Sequence, residues 1–494
     1  MAIVNDVFFA TITELNKALR AKEFSATELT RAYLDRLEKS GPRYNALALI
    51  LREQAIRQAR AVEDDMKRER FRGPLQGVPY GAKDLLSVQG QITTWGAKPY
   101  AAQVFDYDAT VVHKLARAGS ILTGKLSMVE LAGGGGYRYP SASLFGPGLN
   151  PWDISRWSGG SSSGSGSAVA AGLVPFAIGS ETSGSILTPA AYCGVTGLRP
   201  TYGLVSRYGA MALSWTMDKI GPMCRSAEDC GLVLQVIAGK DDNDPASAGK
   251  SFYYAPQFTR ELKTIRVGWN PRDFEEFADP ATRPAFREAL QVIRSFGVEM
   301  QEVSLGSLPY GAVTGTVISA EGSAAFEGLI ESGRVDELAD KKQIAGLRAG
   351  LDIGARDYLK AMRVRRLVQQ EFRRILTNID VLLAPSRYNV ASRISEPLDR
   401  PAGTAAAKPS EATPPPTTPS ASEPRPQPTA AGLRSLIPAG NLAGLPALSV
   451  PCGLAEGLPV ALQFVSRPFT ENLILTLGGE FQKRTDWHRR RPKV

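Results

Sequence analysis

The chain has 494 residues, 43% of them hydrophobic and 22% charged, which is enough for a sizeable core in one large α/β domain or two to three average ones. The formal net charge of +9 is scattered. Its densest spots, Arg363, Arg365, Arg366, Arg373 and Arg374 and the tail Arg489–Lys493, have no interleaved aromatics, so they read as solvated faces and no nucleic-acid partner is expected. Four cysteines without a CxxC pair or a nearby histidine exclude a zinc site and a disulfide framework, and fit a reducing cytoplasm.

In chain order, the opening "MAIVNDVFFATITELNK" lacks a basic leader before an apolar core, so no signal peptide is expected. Residues 1–74 read as a helical part. Thr11 with Glu14 and Ser25 with Glu28 are capping boxes, and Leu29, Tyr33, Leu34 and Leu37 form one apolar helix face. From 75 to 225 short apolar runs alternate with Gly/Pro punctuation, the texture of an α/β core with a buried sheet. Gly119–Leu126 nearly fits a phosphate loop, but Leu126 stands where a hydroxyl is needed, so a strand entering a turn is expected. Ser158–Ser167 is all Gly and Ser and runs into an apolar stretch, Ala168–Ile178, too short to span a bilayer. Residues 226–375 are mostly helical and would cover the core. Residues 400–431, rich in Pro, Ala, Ser and Thr, read as a disordered excursion, after which 432–494 returns to the same single domain.

Only two histidines are present, His113 in a helical pattern and His488 in the basic tail. A Ser-His-Asp triad is therefore not expected, and the G-x-S-x-G match at Gly160–Gly164 means little inside a Gly/Ser run. Serine chemistry without histidine needs another base. A buried lysine can serve, because burial disfavours its charged form. Lys83 lies in such an apolar segment, "GVPYGAKDLL". The second cluster, Thr182-Ser183-Gly184-Ser185, places a hydroxyl directly after a glycine, where backbone N–H groups can face a developing oxyanion.

Together, "GVPYGAKDLL", the Gly/Ser stretch from Gly159 to Gly209, "MDKIGPMCRSAEDC", "NLAGLPALSVPCG" and "DWHRRRP" resemble the amidase signature family of serine hydrolases over about residues 10–490. The resemblance implies one α/β/α domain around a large mixed sheet flanked by helices. It implies a triad of Ser185 as nucleophile, Ser161 as bridging hydroxyl after a cis peptide, and Lys83 as terminal base. It also implies an oxyanion hole from the N–H groups of Thr182, Ser183, Gly184 and Ser185, and no metal or cofactor. The loop with Gly133 and Gly134 would line the substrate, as would Leu187.

One branch of the family, the glutamine-cleaving component of the tRNA-dependent amidotransferase, typically has "SIR" after the nucleophile and an acid before "NLAG". Here Leu187 follows Ile186, where that branch has Arg, and "AAGLRSLIPAG" holds no acid. The reading from these departures is a cytoplasmic amidase of small hydrophobic or aryl amides, with carbamates (a urethanase) or esters as further substrates. It is expected to have no nucleic-acid or membrane partner, and a homodimer is allowed. The alternatives are that amidotransferase component, which releases ammonia from glutamine, and a catalytically inactive family member that serves as a binding partner.

Overall fold

The protein is described by a computed structural model covering residues 5–398 and 432–493. The Pro-rich excursion expected at 400–431 lies outside the described residues. The first helices begin where their caps predict. In α1 (Ile12–Arg20) and α2 (Ala26–Ser40) the Thr11 and Ser25 hydroxyls accept from the third helical N–H, and Glu14 and Glu28 reach back to the cap N–H. Leu29, Tyr33, Leu34 and Leu37 are buried, so α2 has the expected inward face.

Next come β1 (Leu47–Ile50), α3 (Arg52–Lys67), β2 (Pro79–Lys83), α4 (Thr110–Arg117) and β3 (Ile121–Leu126). The near phosphate loop is thus part of a fully buried strand. A hairpin of β4 (Leu149–Asn150) and β5 (Asp153–Trp157) leads into α5 (Ser163–Ala170), β6 (Ala177–Glu181), α6 (Leu187–Cys193), β7 (Thr196–Arg199) and β8 (Lys219–Cys224). The middle of the chain holds α7 (Ala227–Ile237), β9 (Arg266–Trp269), α8 (Pro271–Glu275), α9 (Arg283–Arg294), β10 (Glu299–Glu302), α10 (Tyr310–Ala325), α11 (Glu327–Glu331), α12 (Lys341–Leu351) and α13 (Ala355–Asn378). It closes with β11 (Val381–Pro385), α14 (Leu436–Ala443), β12 (Ala447–Ala455), β13 (Leu458–Ser466) and α15 (Glu471–Arg484).

Eleven strands form one mixed sheet in the order β1-β3-β2-β6-β8-β7-β12-β13-β11-β9-β10. Strand alternation sends side chains to two covered faces. Leu448 and Val450 of β12 join a core with Leu234 of α7 and Leu475 of α15, while Ala447 joins Leu436 and Leu442 of α14 and Phe372 of α13. This is the α/β architecture expected, a large mixed sheet flanked by helices. Strands β2 and β6 are parallel neighbours, so their carboxyl ends open at the same edge, where ligands gather in such sheets.

One charge expectation is corrected. Arg363, Arg366, Arg373 and Arg374 are exposed on α13, but Arg365 is buried. Its guanidinium donates to Leu442 O at 2.8 Å and to Thr216 Oγ1 and O at 2.8 and 2.7 Å, joining α13 to α14 and the loop before β8. No described helix is long and apolar enough to cross a membrane.

Candidate active site

Lys83 ends β2 and is fully buried. Its Nζ donates to Ser161 Oγ at 2.8 Å and to Ser180 Oγ at 2.9 Å. Burial lowers its pKa from 10.5 to about 7, against the opposing pull of the Asp218 and Glu181 charges. An amine with that value is largely neutral at mildly basic pH, the state a proton acceptor requires.

Ser161 follows β5 in the Gly/Ser run, and the Gly160–Ser161 peptide is cis. Every residue from Ser158 to Ser167 is buried, which no flexible linker would be. The run is small because its surroundings leave no room. A Cβ on Gly164 would lie 2.5 Å from Ala46 O and 2.6 Å from Ser127 N, and one on Gly160 2.7 Å from the Trp157 ring. The serines are polar at no loss, because neighbouring carbonyls accept their hydroxyls. Ser162 Oγ donates to Ser180 O at 3.1 Å and Ser167 Oγ to Leu149 O at 2.8 Å.

Ser185 sits in the turn between β6 and α6 and is half-buried. Gly184 before it has φ +94°, a conformation that favours glycine. Ser162 N donates to Ser185 O at 3.3 Å, which fastens the Ser161 loop to this turn. Among the described residues, Ser185 Oγ has no hydrogen-bond partner, and the N–H groups of Ser183, Gly184 and Ser185 have none either. The turn therefore offers an unengaged hydroxyl beside unengaged donors. Its first residue, Thr182, donates Oγ1 to Asp218 Oδ1 at 2.6 Å.

Sequence reasoning missed what holds this turn. Glu181 is fully buried, and four donors converge on its carboxylate. Ile186 N and Leu187 N reach Oε2 at 2.9 and 3.0 Å, while Arg199 Nη1 and Asn441 Nδ2 reach Oε1 at 2.9 and 2.8 Å. Burial alone would raise its pKa, but Arg199, Asn441 and the two backbone N–H groups outweigh it and hold the carboxyl below its usual range. An acid inside the apolar run "PFAIGSE" is the signal the sequence offers, but the partners at 199 and 441 lie too far along the chain to be read from it.

The residues expected to line substrate are placed as follows. Gly134 packs against Leu213 and Phe326, and Gly133 against Tyr137. Their neighbour Ala132 lines a cavity of about 170 Å³ with Leu85, Ser180, Thr182, Arg207 and Asp218. Leu187 is fully buried in a core with Met217, Leu436 and Ala439. It is a packing residue, and the inference from it to an apolar substrate approach loses its footing. His113 is exposed on α4, and His488 lies among Glu14, Arg225 and Arg489.

A family model described as Amidase matches residues 28–475. A glutamyl-tRNA(Gln) amidotransferase component from Carboxydothermus hydrogenoformans, the one that bears the first letter in that enzyme's naming, is 35% identical, covering 99% of this chain and 100% of its own. Proteins of the same name from Chloroflexus and Moorella species lie at similar identity. Among solved structures, native peptide amidase from Stenotrophomonas maltophilia is 29% identical with TM-score 0.81, covering 98% of both chains. The corresponding glutamyl-tRNA(Gln) amidotransferase component of Thermotoga maritima is 26% identical with TM-score 0.73, covering 98% of this chain and 96% of its own.

These relatives correct two expectations. A hydrolase of hydrophobic or aryl amides, carbamates or esters is overturned by full-length likeness to proteins named as amidotransferase subunits. A small-molecule enzyme apart from nucleic acid is overturned likewise, because those names specify glutamyl-tRNA(Gln) and one component of a larger enzyme. The shared fold, the match over nearly the whole chain and the relatives' identity over their full length place this chain in the amidase family, as an enzyme acting on carbon–nitrogen bonds.

Proposed function

We propose that the chain is the amide-cleaving component of an amidotransferase for glutamyl-tRNA(Gln), and that it releases ammonia from the side-chain amide of glutamine. The observation that carries this reading is its identity, over essentially their whole length, to relatives of that name. The cavity supports it. Arg207, Asp218 and Asp244 give it charges of both signs, the complement of a zwitterionic amino acid.

In the proposed chemistry, neutral Lys83 accepts the Ser161 proton as Ser161 takes that of Ser185. The 2.8 Å bond from Lys83 to Ser161 supports the first leg, and the unengaged Ser185 hydroxyl suits the second. Ser185 Oγ attacks the amide carbon, and the N–H groups of Ser183, Gly184 and Ser185, with Thr182 starting the turn, face the carbonyl oxygen as it gains charge. The relay returns its proton to nitrogen, the C–N bond breaks and ammonia leaves. Water then attacks the Ser185 ester, gives up a proton through the same relay, and frees glutamate.

The test is to isolate the tagged chain with its native partners and follow amidation of glutamyl-tRNA(Gln) fed by glutamine. The expected result is glutamine-dependent product, lost in Ser185→Ala and restored by added ammonium. An assembly that ignores glutamine and cleaves anilides or carbamates would overturn the reading.

A further inference from the structure

Asp218, just before β8, links three parts of the site. Its Oδ1 accepts from Thr182 Oγ1 at 2.6 Å, and its Oδ2 accepts from Leu213 N at 2.8 Å and Ser214 N at 2.9 Å. Burial pushes its pKa up, and the three donors that converge on it oppose this and favour the ionised carboxylate. The loop it holds is anchored behind by Glu321 of α10, which accepts from the Ser214 and Thr216 hydroxyls and from Tyr358 Oη. A continuous set of hydrogen bonds therefore runs from the covering helices α10 and α13, through the 213–218 loop, to the first residue of the nucleophile turn. Among the described residues, Thr182 has no other side-chain hydrogen bond.

Resting on the function proposed above, we propose that Asp218 is a positioning residue, which holds the 182–185 turn in shape through Thr182 and sets its carboxylate in the cavity that Ser180, a hydrogen-bond partner of Lys83, also lines. The charges around it are of both signs. Lys83 of β2 and Glu181 of β6 lie on the triad side, Lys219 follows on its own strand, and Arg207 and Asp244 line the same cavity. Lys219 in turn faces Asp218 as well as Glu181, Arg199 and Arg365. Among these, Asp218 and Glu181 are the anions whose fields favour the charged form of Lys83. Glu181 is ion-paired directly with Arg199 at 2.9 Å, whereas the hydrogen-bond donors on Asp218 are neutral and Lys219 is its neighbouring cation.

The test uses the full chain and a fluorophosphonate probe, which reports reactivity of the nucleophile whatever its natural substrate. The rate of Ser185 labelling is followed against pH for wild type, Asp218→Asn and Thr182→Val. Asn keeps the shape and an acceptor while removing the charge. The Lys83 ammonium then loses a stabilising neighbour, and the inflection is expected to move to lower pH by about one unit. Thr182→Val leaves the charge in place. It is expected to keep the wild-type inflection and to lower kcat for amide about tenfold at little-changed KM.

A purely structural role would reduce the fraction labelled without moving the inflection. An unmoved inflection in Asp218→Asn, or wild-type turnover in Thr182→Val, overturns the proposal. If Asp218→Asn does not fold, Thr182→Val alone decides. A wild type that labels readily but ignores glutamine counts against the proposed substrate and leaves Asp218 to be judged on the inflection.

Discussion

Replacing Glu181 by Gln tests how the nucleophile turn is held. All four neighbours of the carboxylate are donors: two backbone N–H groups on Oε2, and Arg199 and Asn441 on Oε1. A glutamine of the same shape has one oxygen and one NH2. Whichever way it turns, the NH2 faces two donors and no acceptor. In either orientation Arg199, a fully buried guanidinium, loses its counter-charge; if the NH2 faces Arg199 the guanidinium also loses its acceptor, and if it faces the turn the Ile186 and Leu187 N–H groups are orphaned. Breaking one side of a buried ion pair costs about 3–5 kcal/mol, against about 1–3 kcal/mol for an orphaned buried donor. The uncompensated charge is common to both orientations, and keeping an acceptor on the guanidinium turns the NH2 to the backbone, so the loss should be about 3–5 kcal/mol or more, the ion pair with the two weakened donors in addition. Urea unfolding followed by tryptophan fluorescence measures this, with the midpoint falling at unchanged slope. Turnover should fall as well, since the freed N–H groups flank Ser185. A Glu181→Gln protein within about 0.5 kcal/mol of wild type and fully active would refute the claim that this carboxylate shapes the turn. The double change Glu181→Gln with Arg199→Met should recover part of the loss, because no buried charge is then left unpaired.

Three further outcomes are expected. Lys83, with its pKa lowered to about 7, must be neutral to accept a proton, so amide turnover should rise with pH through about 7 and level off above it; a rate that is flat from pH 5 to 9 would remove Lys83 as the base. Ser161→Ala should lower kcat by about 10²–10⁴-fold with the fold unchanged by circular dichroism, since it removes the hydroxyl that Lys83 holds and that the proposed relay to Ser185 needs. Acidification should destabilise the protein through Glu181. Its folded pKa is depressed, so its contribution is present above its ordinary value of 4.5 and is lost as pH falls further; wild type should therefore lose more stability than Glu181→Gln between pH 5 and pH 3 in urea melts.

The parts of the site legible in the sequence are those carried by local chemistry. A lysine inside an apolar segment marks a buried amine, and an unbroken Gly/Ser run meeting buried sequence marks a place where backbones must come close, as at Gly164, where a Cβ would meet Ala46 O at 2.5 Å. The capping boxes set the first helix starts within the local sequence itself. What is not legible depends on pairing across long separations. Arg365 reads as one of five surface arginines, because the oxygens that bury it belong to Thr216 and Leu442. The four-donor shell of Glu181 draws on residues 199 and 441. The substrate reading fails for a related reason. It weights single departures, above all Leu187, which the fold turns inward to the α13–α14 core. The likeness to amidotransferase subunits is spread over the whole chain.

The central claim is that Ser185 carries the acyl group while Lys83 drives it through Ser161. Quenching glutamine turnover by the native assembly within milliseconds, then mapping the adduct by peptide mass spectrometry, addresses it most directly. The expected result is a glutamyl ester on the peptide bearing Ser185, absent in Ser185→Ala and slow to form in Lys83→Met. Ammonia release without any such ester, or an adduct that persists in Ser185→Ala, would contradict it.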